Sequence, residues 1–154
     1  MFITGEVCMK KTKFVIVGVI VTLIAGILNG QAPVQFRAAA STPVAGWERM
    51  PSPGGDALWV SPDARLTAGD IARAEARSID GQPAVEIVLT DEGARKMSIL
   101  STEQIDKPIA LLLDGKVIWA PVVRSAIGKA ALLTGGPGGL TKAQIDRLLT
   151  SFKK

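Results

Sequence analysis

The sequence predicts a single small α+β domain with a mixed or antiparallel sheet and two helices. Asp-Gly dipeptides at 80–81 and 114–115, each between apolar runs, predict hairpins over about 70–90 and 108–123. Threonine-capped amphipathic patterns predict helices over about 91–104 and 141–152. At 154 residues the chain has room for one modest domain and a leader.

The first 32 residues are typical of an export signal. A lysine cluster at 10–13 precedes an apolar run over 14–28, which leads to a small-residue exit ending at Ala32. The run is shorter than the roughly 20 residues that span a bilayer, so a cleaved signal peptide and an inner-membrane anchor both stay open. Either alternative places the remainder outside the cytoplasm, periplasmic or secreted, and leaves Met1 and Met9 as alternative starts.

Residues 33–62 are rich in Pro, Gly, Ala and Ser, which predicts a linker and assigns the domain to 63–154. Within the linker, the stretch ALWV at 57–60 is expected to dock as an edge strand.

The prediction of the first hairpin rests on the second half of its sequence. Residues 70–78 suit a half-exposed strand or an alanine-rich helix, whereas 83–89 alternates clearly after the Asp-Gly turn. Thr90 then caps a helix with acidic residues in its first turn, a charge that the helix dipole favours. The inward stripe of this helix is predicted to comprise Ala94, Met97 and Leu100.

The second hairpin joins strands predicted at 109–113 and 117–123 through Asp114-Gly115. Both alternating faces are apolar, which predicts central strands with layers on each side or an uncovered face awaiting a partner. Pro121 predicts that pairing breaks or bulges there. A further strand is expected at about 128–134.

The last helix has the clearest signal. Thr141 and Gln144 form a capping box. The apolar face consists of Ile145, Leu148, Leu149 and Phe152.

The distribution of charge along the chain argues against a nucleic-acid partner. The net charge is +4, but residues 1–46 hold four basic residues against one acidic, so 14 basic and 13 acidic residues remain of the 18 and 14 in the whole chain. The basic residues of the domain are scattered and there is no tyrosine to stack on bases, so no nucleic-acid partner is expected.

Few residue types for catalysis are present. The chain has no histidine, and its one cysteine, Cys8, precedes the apolar run. We therefore expect no catalytic residues, no metal and no cofactor. GGPGGLTK at 135–142 is placed like a phosphate-binding loop, but its Thr precedes its Lys, the reverse of the order needed. Carboxylate pairs at 91–92 and at Glu103 with Asp106 leave a hydrolase as the weakest alternative.

Several segments together resemble the head subdomain of the first periplasmic domain of SecD, in the SecDF protein-export family. The resemblance is carried by LTAGDI at 66–71, PAVEIVLTDEGA at 83–94, Thr102, KPIALLLDGKVIWAPVV at 107–123, Ile127 and LTKAQIDRLL at 140–149. It implies an α+β sandwich without catalytic residues. Gln144 and Ile145 replace the Glu-Ala expected in the last helix.

The resemblance covers the head alone. SecD proteins also carry membrane spans and a base subdomain that no part of this sequence resembles, so we expect a detached module that does not itself couple export to proton flow. The motif residues with expected structural roles are Thr102, Asp114, Gly115, Pro121 and Thr141, and Trp119 is the candidate interface residue.

The function expected from these observations is non-enzymatic. The module would contact polypeptide or a membrane-protein partner, including export machinery, through an apolar sheet face or an open edge. The alternative is a structural envelope protein that self-associates through the same surface.

Overall fold

The computed structural model describes residues 33–134 and 139–153. Gln31–Lys154 forms one compact unit. The predicted export signal or anchor at 1–32 lies outside the described residues. Within the described ranges, neither helix is long and apolar enough to cross a membrane.

Nine strands and two α-helices make up the described fold. The strands are β1 (Val34–Ala40), β2 (Glu48–Pro51), β3 (Ala57–Val60), β4 (Leu66–Thr67), β5 (Ile71–Ile79), β6 (Gln82–Leu89), β7 (Ile109–Leu113), β8 (Lys116–Trp119) and β9 (Ala130–Thr134). The helices are α1 (Asp91–Glu103) and α2 (Lys142–Phe152). The predicted α+β class is confirmed.

Two antiparallel sheets organise these strands. The larger has six strands in the order β2-β3-β1-β7-β8, with β4 pairing beside β3 on β1. The smaller has the order β5-β6-β9. The inner faces of both sheets and the apolar faces of both helices share one core.

The expected linker at 33–62 is wrong, because this segment supplies β1, β2 and β3. Val34, Phe36 and Ala38 point into the main core at 5% exposure or less. The alternate residues of β1 face the opposite side of the sheet, where Ala39 belongs to a second, smaller core.

The stretch at 57–60 is a strand, but it does not lie at the sheet edge. β3 pairs with β2 on one side and with β1 on the other, so β2 is the edge. The sheet curls far enough to bring β2 close to β8 at its other end. β3 thereby covers the outer face of β7, where Leu58 and Leu112 meet in the second core.

Both predicted Asp-Gly turns are present. Asp80 and Asp114 have φ near +50°, and the glycines that follow have φ of +76° and +79°. Two successive positive φ values define the turn that matches the twist of the flanking strands. They set the β5–β6 and β7–β8 hairpins in the predicted positions.

β7 is a central strand, as predicted, and layers cover both of its faces. Ile109, Leu111 and Leu113 enter the main core, while Ala110 and Leu112 enter the second. β8 differs from the prediction: among the described strands it pairs with β7 alone, and it ends at Trp119 instead of continuing to Val123. Beyond it, pairing persists only as isolated bridges.

The helix caps follow the sequence. Thr90 Oγ1 accepts a hydrogen bond from the Gly93 amide at 2.9 Å, and Thr141 forms a capping box with Gln144. Met97 and Leu100 of α1 and Leu148 of α2 are buried, as the stripes predicted. Gly93 lies so close to the backbone of Asp70 that a Cβ there would come 2.2 Å from its carbonyl oxygen.

Candidate functional site

An apolar cavity opens between the end of β8 and the strand β9, where the two sheets diverge. We call it the edge cavity. Its volume is about 330 Å³, at the lower limit of typical ligand pockets. Its lining includes Trp119, Pro121, Ile127, Gly128, Ala131 and Leu133. Core residues such as Phe36 and Met97 form its floor, so an apolar group entering it would reach the main core.

The bulge in the second hairpin sets one wall of the edge cavity. The register between β7 and β8 shifts between Leu111 and Leu112, and Trp119 pairs with Leu111. The chain then leaves the ladder before Pro121, although the Pro121 carbonyl still accepts a hydrogen bond from the Ile109 amide at 3.1 Å. Trp119 is consequently half-buried at the wall of the cavity instead of closing the core completely.

Small residues create the opposite wall. The connection from Ala126 to Gly128 and the alanines at 130 and 131 leave space where larger side chains would fill the gap between the sheets. Ser101 Oγ accepts a hydrogen bond from the Ile127 amide at 2.8 Å, which fixes this connection to α1. Small residues are frequent in the run SAIGKAA at 125–131, but nothing in the sequence indicates that β8 lies opposite this run.

Beside β9, the outer face of the small sheet has a different character. Arg77 and Glu86 pair there, with Arg77 Nε donating to Glu86 Oε2 at 2.7 Å. They line a shallow depression together with Ile79 and Leu132, which are 41% and 42% exposed. β9 therefore separates an apolar cavity on its inner side from an outer surface where one ion pair lies beside exposed apolar side chains.

The sequence-predicted residues fall into two groups. Trp119 and Pro121 meet at the edge cavity. Asp114 and Gly115 form the turn at the other end of β8, where Asp114 contacts Arg147 of α2. Thr102 donates to the Ser98 carbonyl at 2.7 Å within α1, and Thr141 caps α2. Asp114, Gly115 and Thr141 therefore set a turn and a helix start, while the contact of Thr102 lies within its own helix.

The carboxylates considered for catalysis are exposed and paired with cations. A hydrogen bond from Lys129, at 2.6 Å, lowers the pKa of Asp91, and one from Arg95 lowers the pKa of Glu92. A general acid working near neutral pH needs a raised pKa, the opposite direction. Within the described ranges no three carboxylates or other ligating side chains cluster in a way that could hold a metal ion.

A buried polar cluster on β1 was missed because it lies in the expected linker. Arg37 is only 8% exposed, and its Nε donates to Gln35 Oε1 at 2.7 Å. Arg37 also donates to the carbonyl of Ser61, at 3.4 Å, where the chain leaves β3. These contacts satisfy a guanidinium within the sheet and connect β1 to the following segment.

Comparisons with known proteins point to one family. A family model described as SecDF, P1 head subdomain, matches residues 47–148. The Protein translocase subunit SecDF of Thermus thermophilus is 42% identical over 72 residues, which are 46% of this chain and 10% of that protein. The Protein translocase subunit SecD of Aquifex aeolicus is 34% identical over 90 residues, 57% of this chain and 18% of that protein. This chain therefore spans a fifth or less of these relatives.

Solved structures agree on the fold. A structure titled "Structure and function of a membrane component SecDF that enhances protein export" superposes with a TM-score of 0.56 at 26% identity, covering 77% of this chain and 61% of that one. A crystal structure of SecDF in its super-membrane-facing form gives a TM-score of 0.57 at 26% identity, covering 77% of this chain and 18% of that one.

Proposed function

Because the chain belongs to the SecDF P1 head subdomain family, we propose that it is a non-enzymatic extracytoplasmic module that contacts polypeptide during protein export. The single observation that carries this proposal is the edge cavity, an apolar opening to the core walled by Trp119 and Pro121. A solved relative is described by its title as a membrane component that enhances protein export.

The chemistry of the edge cavity supports this function over catalysis. Apolar side chains are exposed in unfolded polypeptide and buried once folding is complete, so an apolar cavity discriminates between the two states. Burial of apolar surface stabilises such a contact by roughly 25 cal/mol per Å², with little dependence on sequence. This property suits a module that meets many different exported chains.

Photocrosslinking during export tests the proposal. The full chain, produced in its native cells, carries a photoreactive residue at Trp119 or, in a second variant, at the exposed Leu132 on the cavity rim. A radiolabelled precursor arrested in mid-export is the probe. The matched control position is Asp80, which lies in the β5–β6 turn away from the cavity lining.

We expect the precursor to crosslink at Trp119 and Leu132 at least five times more strongly than at Asp80. Equal crosslinking at all three positions would overturn the proposal. So would crosslinks at the cavity that contain only a second copy of this chain, since that result favours self-association.

A further inference from the structure

We propose that the free edge of β9 and the edge cavity beside it accept an extended polypeptide segment with alternating apolar residues, bound as an additional strand. This inference rests on the proposed function and deepens it, because it specifies the conformation and the side-chain pattern of the polypeptide. It requires that β9 have free backbone groups, that its edge be unprotected, and that its two sides favour different side chains.

The backbone groups of β9 can be assigned from its register with β6. The Leu89 amide donates to the Lys129 carbonyl at 2.8 Å, and Val88 lies opposite Ala130. In an antiparallel ladder the hydrogen-bonded residues alternate, so residues 129, 131 and 133 direct their backbone groups towards β6. The amides and carbonyls of Ala130 and Leu132 consequently point to the other edge, where no described strand pairs with them.

The edge of β9 lacks the protection that the other edges have. Charged residues or proline usually prevent exposed edges from pairing with other chains. Three of the other described edges carry such residues: β2 has Glu48, Arg49 and Pro51, β5 has Arg73, Glu75 and Arg77, and β8 has Lys116. The fourth, β4, is only two residues long, too short to pair stably with another chain. The sequence of β9 is AALLT, without charge or proline, and Leu132 at its centre is 42% exposed.

The two sides of this edge define a pattern with a period of two residues. Side chains of an added strand alternate between the faces of the sheet. Those on the inner face would enter the edge cavity and meet Trp119 and Leu133. Those on the outer face would lie beside the exposed Ala130 and Leu132 and face solvent. The preferred segment therefore has apolar residues at every second position, facing the cavity, and polar residues between them, facing solvent.

The length of the edge favours a peptide over a second copy of the chain. Five residues of strand extend about 17 Å. A strip of that length and one strand in width buries far less than the roughly 800 Å² per partner that a stable dimer needs. A transient contact with an unfolded chain needs no such area, since backbone hydrogen bonds give affinity and alternate side chains give specificity.

Backbone methylation of a peptide tests this binding mode independently of protein folding. The probe is a fluorescent ten-residue peptide with alternating Val and Thr, titrated against the purified full chain. One derivative is N-methylated at its odd positions and another at its even positions. A third peptide has the same composition with all its valines in one block.

We expect one methylated derivative to lose at least tenfold in affinity and the other less than threefold, because only one set of amides can face β9. The block peptide should bind at least tenfold more weakly than the alternating one. On binding, amide hydrogen exchange at Ala130 and Leu132 should slow at least tenfold, while exchange at Ala131 and Leu133, already paired with β6, should change less than threefold.

A pair of variants tests the same edge from the protein side. Leu132→Pro removes one outward amide without removing a β6–β9 hydrogen bond, which is the position in a sheet that tolerates proline. Leu132→Thr keeps the amide and shortens the side chain. We expect at least tenfold weaker peptide binding for the proline variant and less than threefold for the threonine variant, with thermal unfolding confirming that both are folded.

Failure of the inference differs from failure of the proposed function. If both methylated peptides bind equally well and precursors still crosslink at Trp119, polypeptide contact stands and strand addition is overturned. If neither peptide nor precursor binds, both proposals fail. Concentration-dependent dimerisation that Leu132→Pro abolishes would also overturn the inference, since a second copy would then occupy the edge.

Discussion

The strands β7 and β9 are both five residues long and share the tripeptide Ala-Leu-Leu, yet their surroundings are opposite. All five residues of β7 are buried at 5% exposure or less. In β9 the equivalent of Leu111 is Leu132, which is 42% exposed, and only Leu133 is fully buried. An apolar strand sequence thus indicates a strand, but the order of strands in the sheet decides whether it is a core element or an exposed edge.

Truncating Leu111 in β7 and Leu132 in β9 should produce the largest difference between these strands in the free energy of unfolding. We expect Leu111→Ala to lower the free energy of unfolding by about 2–5 kcal/mol, because it leaves a cavity in the main core. Leu132→Ala should change it by less than about 0.5 kcal/mol, as is usual at exposed positions. Urea unfolding of both variants measures the contrast. Similar losses in the two would show that β9 is covered in solution.

The elements that the sequence predicted correctly are those with local signals. Asp80-Gly81 and Asp114-Gly115 require positive φ, and the hydroxyls of Thr90 and Thr141 satisfy amides within three residues. Such chemistry is visible in a short window of sequence.

β1 was not predicted because the contacts that stabilise it are not local in sequence. Its stability comes from β7, β3 and β4, all distant in sequence, and its three consecutive alanines resemble linker composition. The hydrophobic alternation of Val34, Phe36 and Ala38 was present, but proline-rich sequence followed it at once.

The candidate site was predicted in part. Pro121 could be singled out because proline interrupts strand pairing, and Trp119 because a tryptophan on a strand with two apolar faces is a candidate for an interface. The opposite wall of the edge cavity could not be predicted, since β8 and β9 belong to different sheets and only the fold brings them together. Thr102, Asp114, Gly115 and Thr141 stay predictions as family-motif residues, with structural contacts that account for them locally.

Replacing glycine by alanine in the turn before β8 and in the connection before β9 should give the second largest difference in the free energy of unfolding. Gly115, in the turn before β8, has φ of +79°. Gly115→Ala is expected to cost about 1–2 kcal/mol, because a Cβ is disfavoured in the left-handed region. Gly128 precedes β9, and a Cβ there would meet no atom within 4 Å. Gly128→Ala should stay within about 0.5 kcal/mol of the original protein. Equal costs by thermal unfolding would mean that the connection to β9 is as constrained as the hairpin.

The smallest expected effect is the pH-dependent contribution to stability of the surface ion pair between Lys129, which precedes β9, and Asp91. Lys129 donates to Asp91 at 2.6 Å and lowers the pKa of that carboxyl below its ordinary value of 3.8. Because the pKa is lower in the folded protein than in the unfolded chain, the pair stabilises the fold above pH 3.8, and this stabilisation is lost as the pH falls through the folded pKa.

Lys129→Met should therefore lower the unfolding temperature by on the order of one or two degrees at pH 6, and the difference should shrink as the pH falls below 3.8. Lys142→Met, at the exposed start of α2, makes the same change in charge and serves as the control. A difference for Lys129→Met that persists unchanged at low pH would show that the ion pair with Asp91 is not its cause.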